Sequence, residues 1–237
     1  MERLDKIIAN RGIASRREVK ELVRQGRVLV DGVPASAPDV KVSAETVAIT
    51  VDGVPVSSER YTYLLLHKPA GVLTATEDKH QPTVMELLPE SLRRRGLAPV
   101  GRLDKDTEGL LLLTDDGELT HRLLSPKHHV DKVYYAQVDG VPDTTDAEAF
   151  AAGLLLEDGL QCLPAKLEPL GGDACLVTLR EGKFHQVKRM LASRGKPVRY
   201  LKRLSMGPLR LEDTLLPGQC RELSPEELAA VRSACML

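Results

Sequence analysis

Three carboxylates stand close together near the middle of this 237-residue chain and could perform acid–base or nucleophilic chemistry. Asp104, Asp106 and Glu108 alternate with other residues and lead into an apolar run at residues 110–113. Because this run has no polar alternation, it predicts a buried strand, and residues 115–117 predict a turn after it. The carboxylates are therefore expected in a loop at the edge of a core, where functional groups are common.

Three interpretations of this loop are open. Five of its residues match the spacing of a calcium-binding loop: Asp104, Asp106, Glu108, Gly109 and Asp115. Against calcium, residues 97–100 do not predict a helix, and Leu112 stands at the ninth position, where an oxygen ligand is usual. A catalytic Asp104 beside Arg102 is the second interpretation, and a solvated acidic turn is the third.

Several ordered motifs resemble those of the pseudouridine synthases, and more narrowly the bacterial family that modifies small-subunit ribosomal RNA. They extend over nearly the whole chain. They are Gly-Arg-Leu-Asp at 101–104, Thr-Asp-Asp-Gly at 114–117, His-Lys-Pro at 67–69, Ser-Pro-Lys-His-His at 125–129, Lys-Val-Tyr at 132–134 and Glu-Gly-Lys-Phe-His-Gln-Val-Lys-Arg-Met at 181–190.

The resemblance implies a set of site residues. Asp104 is expected to be the catalytic carboxylate, acting either as a nucleophile or as a base at the sugar. Tyr134 is expected to stack on the uracil, and Lys183 to pair with Asp104. Arg102 is expected to enter the helix space that the flipped base vacates, and Leu201 to pack against that base. The family uses no cofactor and no metal, so His121, His128 and His129 are interpreted as RNA contacts or packing residues.

The N-terminal residues predict a small basic domain. A capping box of Ser15 and Glu18 predicts the start of a second helix, and residues 28–32 predict a strand that enters a hairpin turn. Residues 1–30 carry eight basic and four acidic side chains, a net charge of +4. The pattern is similar to the RNA-binding domain of ribosomal protein S-four. That resemblance implies phosphate contacts from Arg16, Arg17, Lys20 and Arg27.

A second basic segment covers residues 180–210, which hold ten basic residues and one acidic residue, a net charge of +9. The whole chain has a net charge of only −1, so this concentration of positive charge in one segment favours an anionic partner. Nucleic acid is the simplest such partner. Lys188, Arg189 and Arg203 are therefore predicted RNA contacts.

The remaining pattern predicts an α+β protein with a largely antiparallel or mixed sheet, because many short strands have few helices between them. We expect an N-terminal RNA-binding domain at 1–56, a linker at 57–60 and a catalytic domain at 61–237. Four widely spaced cysteines indicate neither a zinc site nor a disulfide framework. No signal peptide or apolar span is visible, so a cytoplasmic protein is expected.

The resemblance predicts isomerisation of a uridine in ribosomal RNA, with uridine 516 of 16S RNA as the expected target. The expected partner is 16S RNA in a small-subunit assembly intermediate, and the protein is expected to be a monomer. A large-subunit RNA synthase of the same family, a non-catalytic ribosome-assembly factor and a nucleoside hydrolase are the alternatives.

Overall fold

The computed structural model describes residues 1–44, 46–56, 61–93, 96–125 and 130–235. The chain divides into two compact units, a smaller one of Met1–Thr62 and Pro89–Leu97 and a larger one of Tyr63–Leu88 and Ala98–Leu237. The expected linker at 57–60 and most of the motif at 125–129 lie outside the described residues. The domain limits at 56 and 61 stay predictions.

The smaller unit combines two helices with short strands. Its elements are β1 (Glu2–Arg3), α1 (Leu4–Asn10), α2 (Arg16–Arg24), β2 (Val28–Val30), β3 (Val33–Pro34), β4 (Lys41–Val42), β5 (Ile49–Val51), β6 (Val54–Pro55) and a 3-10 turn at Glu90–Leu92. Among the described residues, four strands form a sheet in the order β3-β2-β5-β6, and β1 pairs with β4. One core of buried aliphatic side chains, including Leu4, Ile8 and Val19, joins the helices to the sheet.

Local sequence signals fix the elements of this unit. Both hydrogen bonds of the predicted capping box between Ser15 and Glu18 are present at the start of α2. Asp31 and Gly32 both have positive φ, 51° and 79°, as a tight turn between β2 and β3 requires. Helix α1 begins only at Leu4, because the preceding residues Glu2–Arg3 pair with Lys41–Val42 as a strand.

The larger unit holds the remaining elements. They are β7 (Tyr63–Lys68), a 3-10 helix (Val84–Leu87), β8 (Ala98–Pro99), β9 (Glu108–Thr114), α3 (Gly117–Leu124), β10 (Lys132–Val138), α4 (Thr144–Ala152), β11 (Lys166–Gly171), β12 (Ala174–Leu179), α5 (Gln186–Ser193), β13 (Val198–Met206), β14 (Leu209–Arg210), β15 (Cys220–Glu222) and α6 (Pro225–Ala234).

A mixed sheet is the frame of this unit, as predicted. In the described part of the chain its strand order is β11-β12-β10-β13-β9-β7-β15, with β14 beside β13 and β8 beside β9. The pairing of β13 with β9 is parallel, and the other pairings are antiparallel. Strand β9 lies between β13 and β7, so the run at residues 110–113 is fully buried, as its lack of polar alternation predicts.

Gly109 allows the parallel contact. Its φ is 109°, and a Cβ at this position would lie 2.2 Å from the backbone oxygen of Arg203. A side chain would therefore force β9 and β13 apart at the point where the carboxylate loop enters the sheet.

No helix among the described residues is long and apolar enough to cross a membrane.

Candidate active site

The loop that carries Asp104 connects β8 to β9 and is fixed on both sides by hydrogen bonds. The Thr74 hydroxyl donates to the Leu103 carbonyl at 2.8 Å and accepts from the Leu103 amide at 3.3 Å. On the other side, the Thr107 amide donates to the Asp104 carbonyl at 3.1 Å and closes a turn. Asp104 is therefore held at a defined place although it lies in a loop.

A buried lysine supports the same turn from below. Lys68, at the end of β7, is fully buried. Its ammonium donates to the carbonyls of Pro69 at 3.0 Å, Lys105 at 3.2 Å and Thr107 at 2.9 Å. Burial lowers the pKa of Lys68 to about 8, although the nearby carboxylates of Asp106 and Asp104 oppose that shift. This lysine of the His-Lys-Pro motif thus ties β7 to the turn that presents Asp104.

Two nitrogen groups face the carboxylate of Asp104. The Lys188 ammonium on α5 lies 3.3 Å from Asp104 Oδ2, and His185 Nε2 lies 3.5 Å from Oδ1. Lys188 also contacts Asp106 Oδ1 at 2.5 Å, and this hydrogen bond lowers the pKa of Asp106. The cation paired with Asp104 is therefore Lys188, which the sequence predicted as an RNA contact.

The predicted pair between Lys183 and Asp104 is wrong in this structure. The Lys183 ammonium donates to the Gln161 carbonyl at 2.7 Å and lies 3.1 Å from the buried carboxylate of Glu181. Glu181 also accepts from the Leu163 amide and from the Gln186 side chain. Lys183 belongs to this network, which fixes the segment before α5, and forms no ion pair with Asp104.

A cavity of about 60 Å³ adjoins Asp104. Tyr134 on β10 and Leu201 on β13 line it, and both are buried. Strand alternation gives Tyr134 and its neighbour Tyr135 opposite faces, and the half-buried Tyr135 packs edge-on against Tyr200, with ring centroids 6.2 Å apart.

A wider cleft of about 280 Å³ continues from the cavity and shares Arg102, Asp104, Lys183 and His185 with it. The exposed Arg102 forms no ion pair with any described residue, and the cation that contacts Asp104 and Asp106 is Lys188. Lys132, on the cleft wall, is 5% exposed, and burial lowers its pKa to about 8.

The structure also corrects two other predictions. Arg203 was expected to contact RNA, but it is 2% exposed, and its Nε donates to the Leu110 carbonyl at 2.8 Å within the sheet. The calcium interpretation is wrong about its context, since strands β8 and β9 flank the loop. Glu108 accepts a hydrogen bond from the Tyr200 hydroxyl at 2.8 Å, and no cluster suited to a metal is found among the described residues.

The charge of the segment at 180–210 is largely compensated within the protein. Seven of its ten basic residues form ion pairs with described acidic residues, and six of the seven use acids from outside the segment. The pairs are Arg180 with Asp131, Lys183 with Glu181, Lys188 with Asp104 and Asp106, Arg189 with Asp158, Arg194 and Lys196 with Asp146, and Arg199 with Asp139 and Asp173. The net charge of the segment therefore does not by itself require an external anion.

The predicted RNA contacts of the smaller unit fall into two groups. Arg16 lies 3.2 Å from the buried Asp5, and Arg27 contacts Asp52 at 2.6 Å. Arg17 and Lys20 on α2 are exposed and form no ion pair with any described residue. Their charges are thus available to an external anion.

Several site residues were missed by sequence reasoning. Lys68 and His185 stand in motifs that the sequence identifies, yet neither received a role, and Thr74 lies outside every motif. The His-Lys-Pro motif was the available signal for Lys68, because a lysine at the end of an apolar strand must find partners when it is buried.

The arrangement can support chemistry on a bound organic ring. A carboxylate beside an ammonium and an imidazole can act as a nucleophile or as a base. A tyrosine and a leucine on neighbouring strands provide an apolar wall for a planar group. The described residues thus combine a reactive carboxylate with a small apolar recess.

Several known proteins are similar to this chain in sequence and fold. The family model described as RNA pseudouridylate synthase matches residues 62–193, and an S4 domain matches residues 2–47. An uncharacterised RNA pseudouridine synthase of Bacillus subtilis (strain 168) is 48% identical, with 95% of this chain and 96% of the relative covered. The ribosomal small subunit pseudouridine synthase A of Pseudomonas aeruginosa is 40% identical, with 97% and 100% covered.

Two further comparisons agree. The ribosomal large subunit pseudouridine synthase B of Bacillus subtilis (strain 168) is 39% identical, with 98% of this chain and 96% of the relative covered. A crystal structure described as pseudouridylate synthase superposes with a TM-score of 0.69 at 35% identity and covers 98% of this chain and 100% of that one. The chain belongs to the RNA pseudouridylate synthase family.

Proposed function

We propose that this protein isomerises a specific uridine of ribosomal RNA to pseudouridine and that Asp104 is its catalytic residue. The observation that carries the proposal is the position of Asp104. Its carboxylate lies 3.3 Å from the Lys188 ammonium, in a loop fixed by Thr74 and Lys68, and borders a recess lined by Tyr134 and Leu201.

The reaction breaks the bond between nitrogen 1 of uracil and the ribose and forms a bond from carbon 5 to the same ribose carbon. Nitrogen 1 gains a proton and carbon 5 loses one, so no electron donor or acceptor is required. Asp104 acts either as a nucleophile at the ribose or as a base that removes the 2′ proton, and we favour the base. In either case the Lys188 ammonium, 3.3 Å from the carboxylate, attracts its negative charge.

The neighbouring residues hold the extruded nucleotide. Tyr134 stacks on the uracil and Leu201 packs against it, since both line the recess beside Asp104. The exposed Arg102 enters the space that the base leaves, which offsets part of the few kcal/mol that base extrusion costs. Lys183 acts through Glu181 on the segment before α5 and has no direct role in the reaction.

We propose uridine 516 of 16S RNA as the target, within a small-subunit assembly intermediate. The likeness to a small-subunit enzyme at 40% identity supports this. A uridine of large-subunit RNA is the second candidate, supported by a relative at 39% identity. We further propose that the protein acts as a cytoplasmic monomer and that Arg17 and Lys20 anchor it to RNA phosphates.

Two experiments test these proposals. Mapping pseudouridines in ribosomal RNA from cells with and without the gene is expected to show one position that depends on the gene. The identity of that position decides between small- and large-subunit RNA, and an unchanged map refutes the proposed substrate.

In vitro, Asp104→Asn is expected to retain RNA binding and to form no detectable pseudouridine, because the amide is neither nucleophile nor base. Asp115→Asn changes an acid in the turn after β9 and is the matched control. Substantial turnover by the Asp104 variant would remove Asp104 from the mechanism. Release of free uracil by the wild type would indicate a hydrolase instead.

A further inference from the structure

An exposed aromatic ring stands at the rim of the candidate active site. Phe184 is 68% exposed and is the one aromatic among the exposed large apolar side chains of the described residues. The other phenylalanine of the chain, Phe150, is fully buried. Single exposed apolar side chains are common at protein surfaces, so what distinguishes this ring is its place beside Asp104 and Arg102.

This ring is held in place. It stacks on the imidazole of His185, with centroids 3.8 Å apart and planes at 18°, and the Arg189 guanidinium donates to the Phe184 carbonyl at 3.4 Å. His185 has a left-handed backbone, with φ 48° and ψ 32°, immediately before α5. A non-glycine residue in this region is uncommon and strained, and such strain occurs often at functional sites.

The stacked pair connects the ring to the catalytic carboxylate. His185 Nε2 lies 3.5 Å from Asp104 Oδ1, so His185 lies between Asp104 and Phe184. Phe184 lines the cleft of about 280 Å³ that contains Asp104 and Arg102. It also lines a second cleft of about 500 Å³, which is bordered by Asp158 and Arg189. A chain that enters the first cleft toward Asp104 therefore passes the face of this ring.

We propose that Phe184, backed by His185, is a stacking platform for a nucleobase next to the target uridine in the RNA. This inference rests on the proposed function, because it requires an RNA nucleotide at Asp104. Extrusion of the target base leaves its neighbours without one stacking partner. Single-stranded RNA bases stack on exposed aromatic side chains, and the free Arg102 across the cleft can take the adjoining phosphate.

The test uses two short single-stranded RNAs, each with one uridine. One RNA carries 2-aminopurine on the 5′ side of the uridine, and the other carries it on the 3′ side. Stacking quenches the fluorescence of 2-aminopurine. We expect the wild-type protein to quench one of the two RNAs. Phe184→Ala is expected to abolish the quenching and weaken binding about 5- to 150-fold, which corresponds to about 1–3 kcal/mol per stacked base.

Three variants separate stacking from other effects. Phe184→Tyr keeps an aromatic face and should retain quenching and affinity, whereas Phe184→Leu keeps an apolar contact and should lose the quenching. Leu170→Ala removes another exposed apolar side chain, 52% exposed, from the edge strand β11 and should match the wild type. Because Phe184 is exposed, its variants are expected to fold.

Pseudouridine formation on ribosomal RNA is measured in parallel, so that the two proposals can fail separately. Suppose that the wild type forms pseudouridine normally. The platform alone is then overturned if the wild type and Phe184→Ala quench equally, or if the wild type quenches neither RNA. Absence of pseudouridine in the wild-type reaction overturns the proposed function and the platform with it.

Discussion

Exchanging Lys188 for methionine is expected to impair the reaction far more than exchanging Lys183. The Lys188 ammonium is the one that faces Asp104, at 3.3 Å, whereas Lys183 contacts Glu181 and the Gln161 carbonyl. Both variants remove one positive charge from the same short segment. They differ in which carboxylate is left without its partner.

The size of the effect follows from the geometry. At 3.3 Å and an effective dielectric constant of about 20, the attraction between two unit charges is about 5 kcal/mol. Asp104 and Lys188 are each about a quarter exposed, 26% and 22%, so solvent screening and side-chain entropy reduce this value. We expect about 2 kcal/mol to remain. A loss of that size corresponds to about a 30-fold lower rate.

The assay is single-turnover pseudouridine formation at saturating RNA, with RNA affinity measured separately. This separation matters because Lys188 also lies near the surface and could contribute to phosphate binding. Lys188→Met should reduce the rate about 30-fold with a smaller change in affinity, and Lys188→Arg should recover part of the rate. Lys183→Met should change the rate about twofold or less and lower stability instead. A large rate loss in Lys183→Met with normal turnover in Lys188→Met would refute the assignment.

Three further predictions concern binding and stability. The double variant Arg17→Ala and Lys20→Ala should weaken RNA binding. It should also reduce the slope of log affinity against log salt concentration by about one for each phosphate that is no longer bound. The control is Arg24→Ala, because Arg24 is paired with Glu21. Lys68→Met should destabilise by about 3 kcal/mol, measured by urea unfolding against the exposed Lys79→Met, because the carbonyls of Pro69, Lys105 and Thr107 lose the ammonium donor, although the Lys105 carbonyl keeps the Gly71 amide. Asp146→Asn should also lower the free energy of unfolding by about 3 kcal/mol. This difference from the wild type should become smaller only under acidic conditions.

The acid dependence expected for Asp146 follows from its pKa. Burial raises the pKa of Asp146, but the hydrogen bonds from Lys196 and Arg194 outweigh burial, so the pKa lies below the ordinary value of 3.8. A carboxylate with a lowered pKa in the folded state contributes its full stabilisation above pH 3.8 and loses it as the pH falls through the lower value. Unfolding midpoints of both proteins, measured from neutral pH downward, check this. An unchanged difference at low pH would show that Asp146 is not ionised in the folded protein.

Much of the fold was predictable because the decisive signals are local. Strands Lys132–Val138 and Ala174–Leu179 can be located from the sequence, since apolar alternation and neighbouring glycine turns mark their limits within a few residues. The parallel contact of β13 with β9 was not predicted, because it joins residues that are far apart in sequence. Its local trace is Gly109, whose missing side chain leaves room for the backbone of Arg203.

The roles expected for Asp104, Tyr134 and Leu201 stay predictions, whereas the expected ion pair of Asp104 with Lys183 is not the one observed. Asp104, Tyr134 and Leu201 do line one cavity, but Lys183 was chosen over Lys188 as the partner of Asp104. The backbone between the two lysines explains the error. His185 takes a left-handed conformation and starts α5, so the chain changes direction there and directs Lys183 to Glu181 and Lys188 to Asp104. No residue type in the segment specifies that φ angle.

The basic segment shows why charge counted along a sequence differs from charge at a surface. Its net charge of +9 suggested an external anion, yet acids from distant parts of the same unit neutralise most of it. Asp146 alone holds two of its cations, and Asp104 with Asp106 holds a third. Outside this segment, Arg102 lines the cleft beside Asp104 and forms no ion pair with any described residue, so its charge is available to an RNA phosphate. We therefore expect affinity to depend on a few phosphate contacts and on base stacking, and its salt dependence to be weaker than the charge of the segment implies.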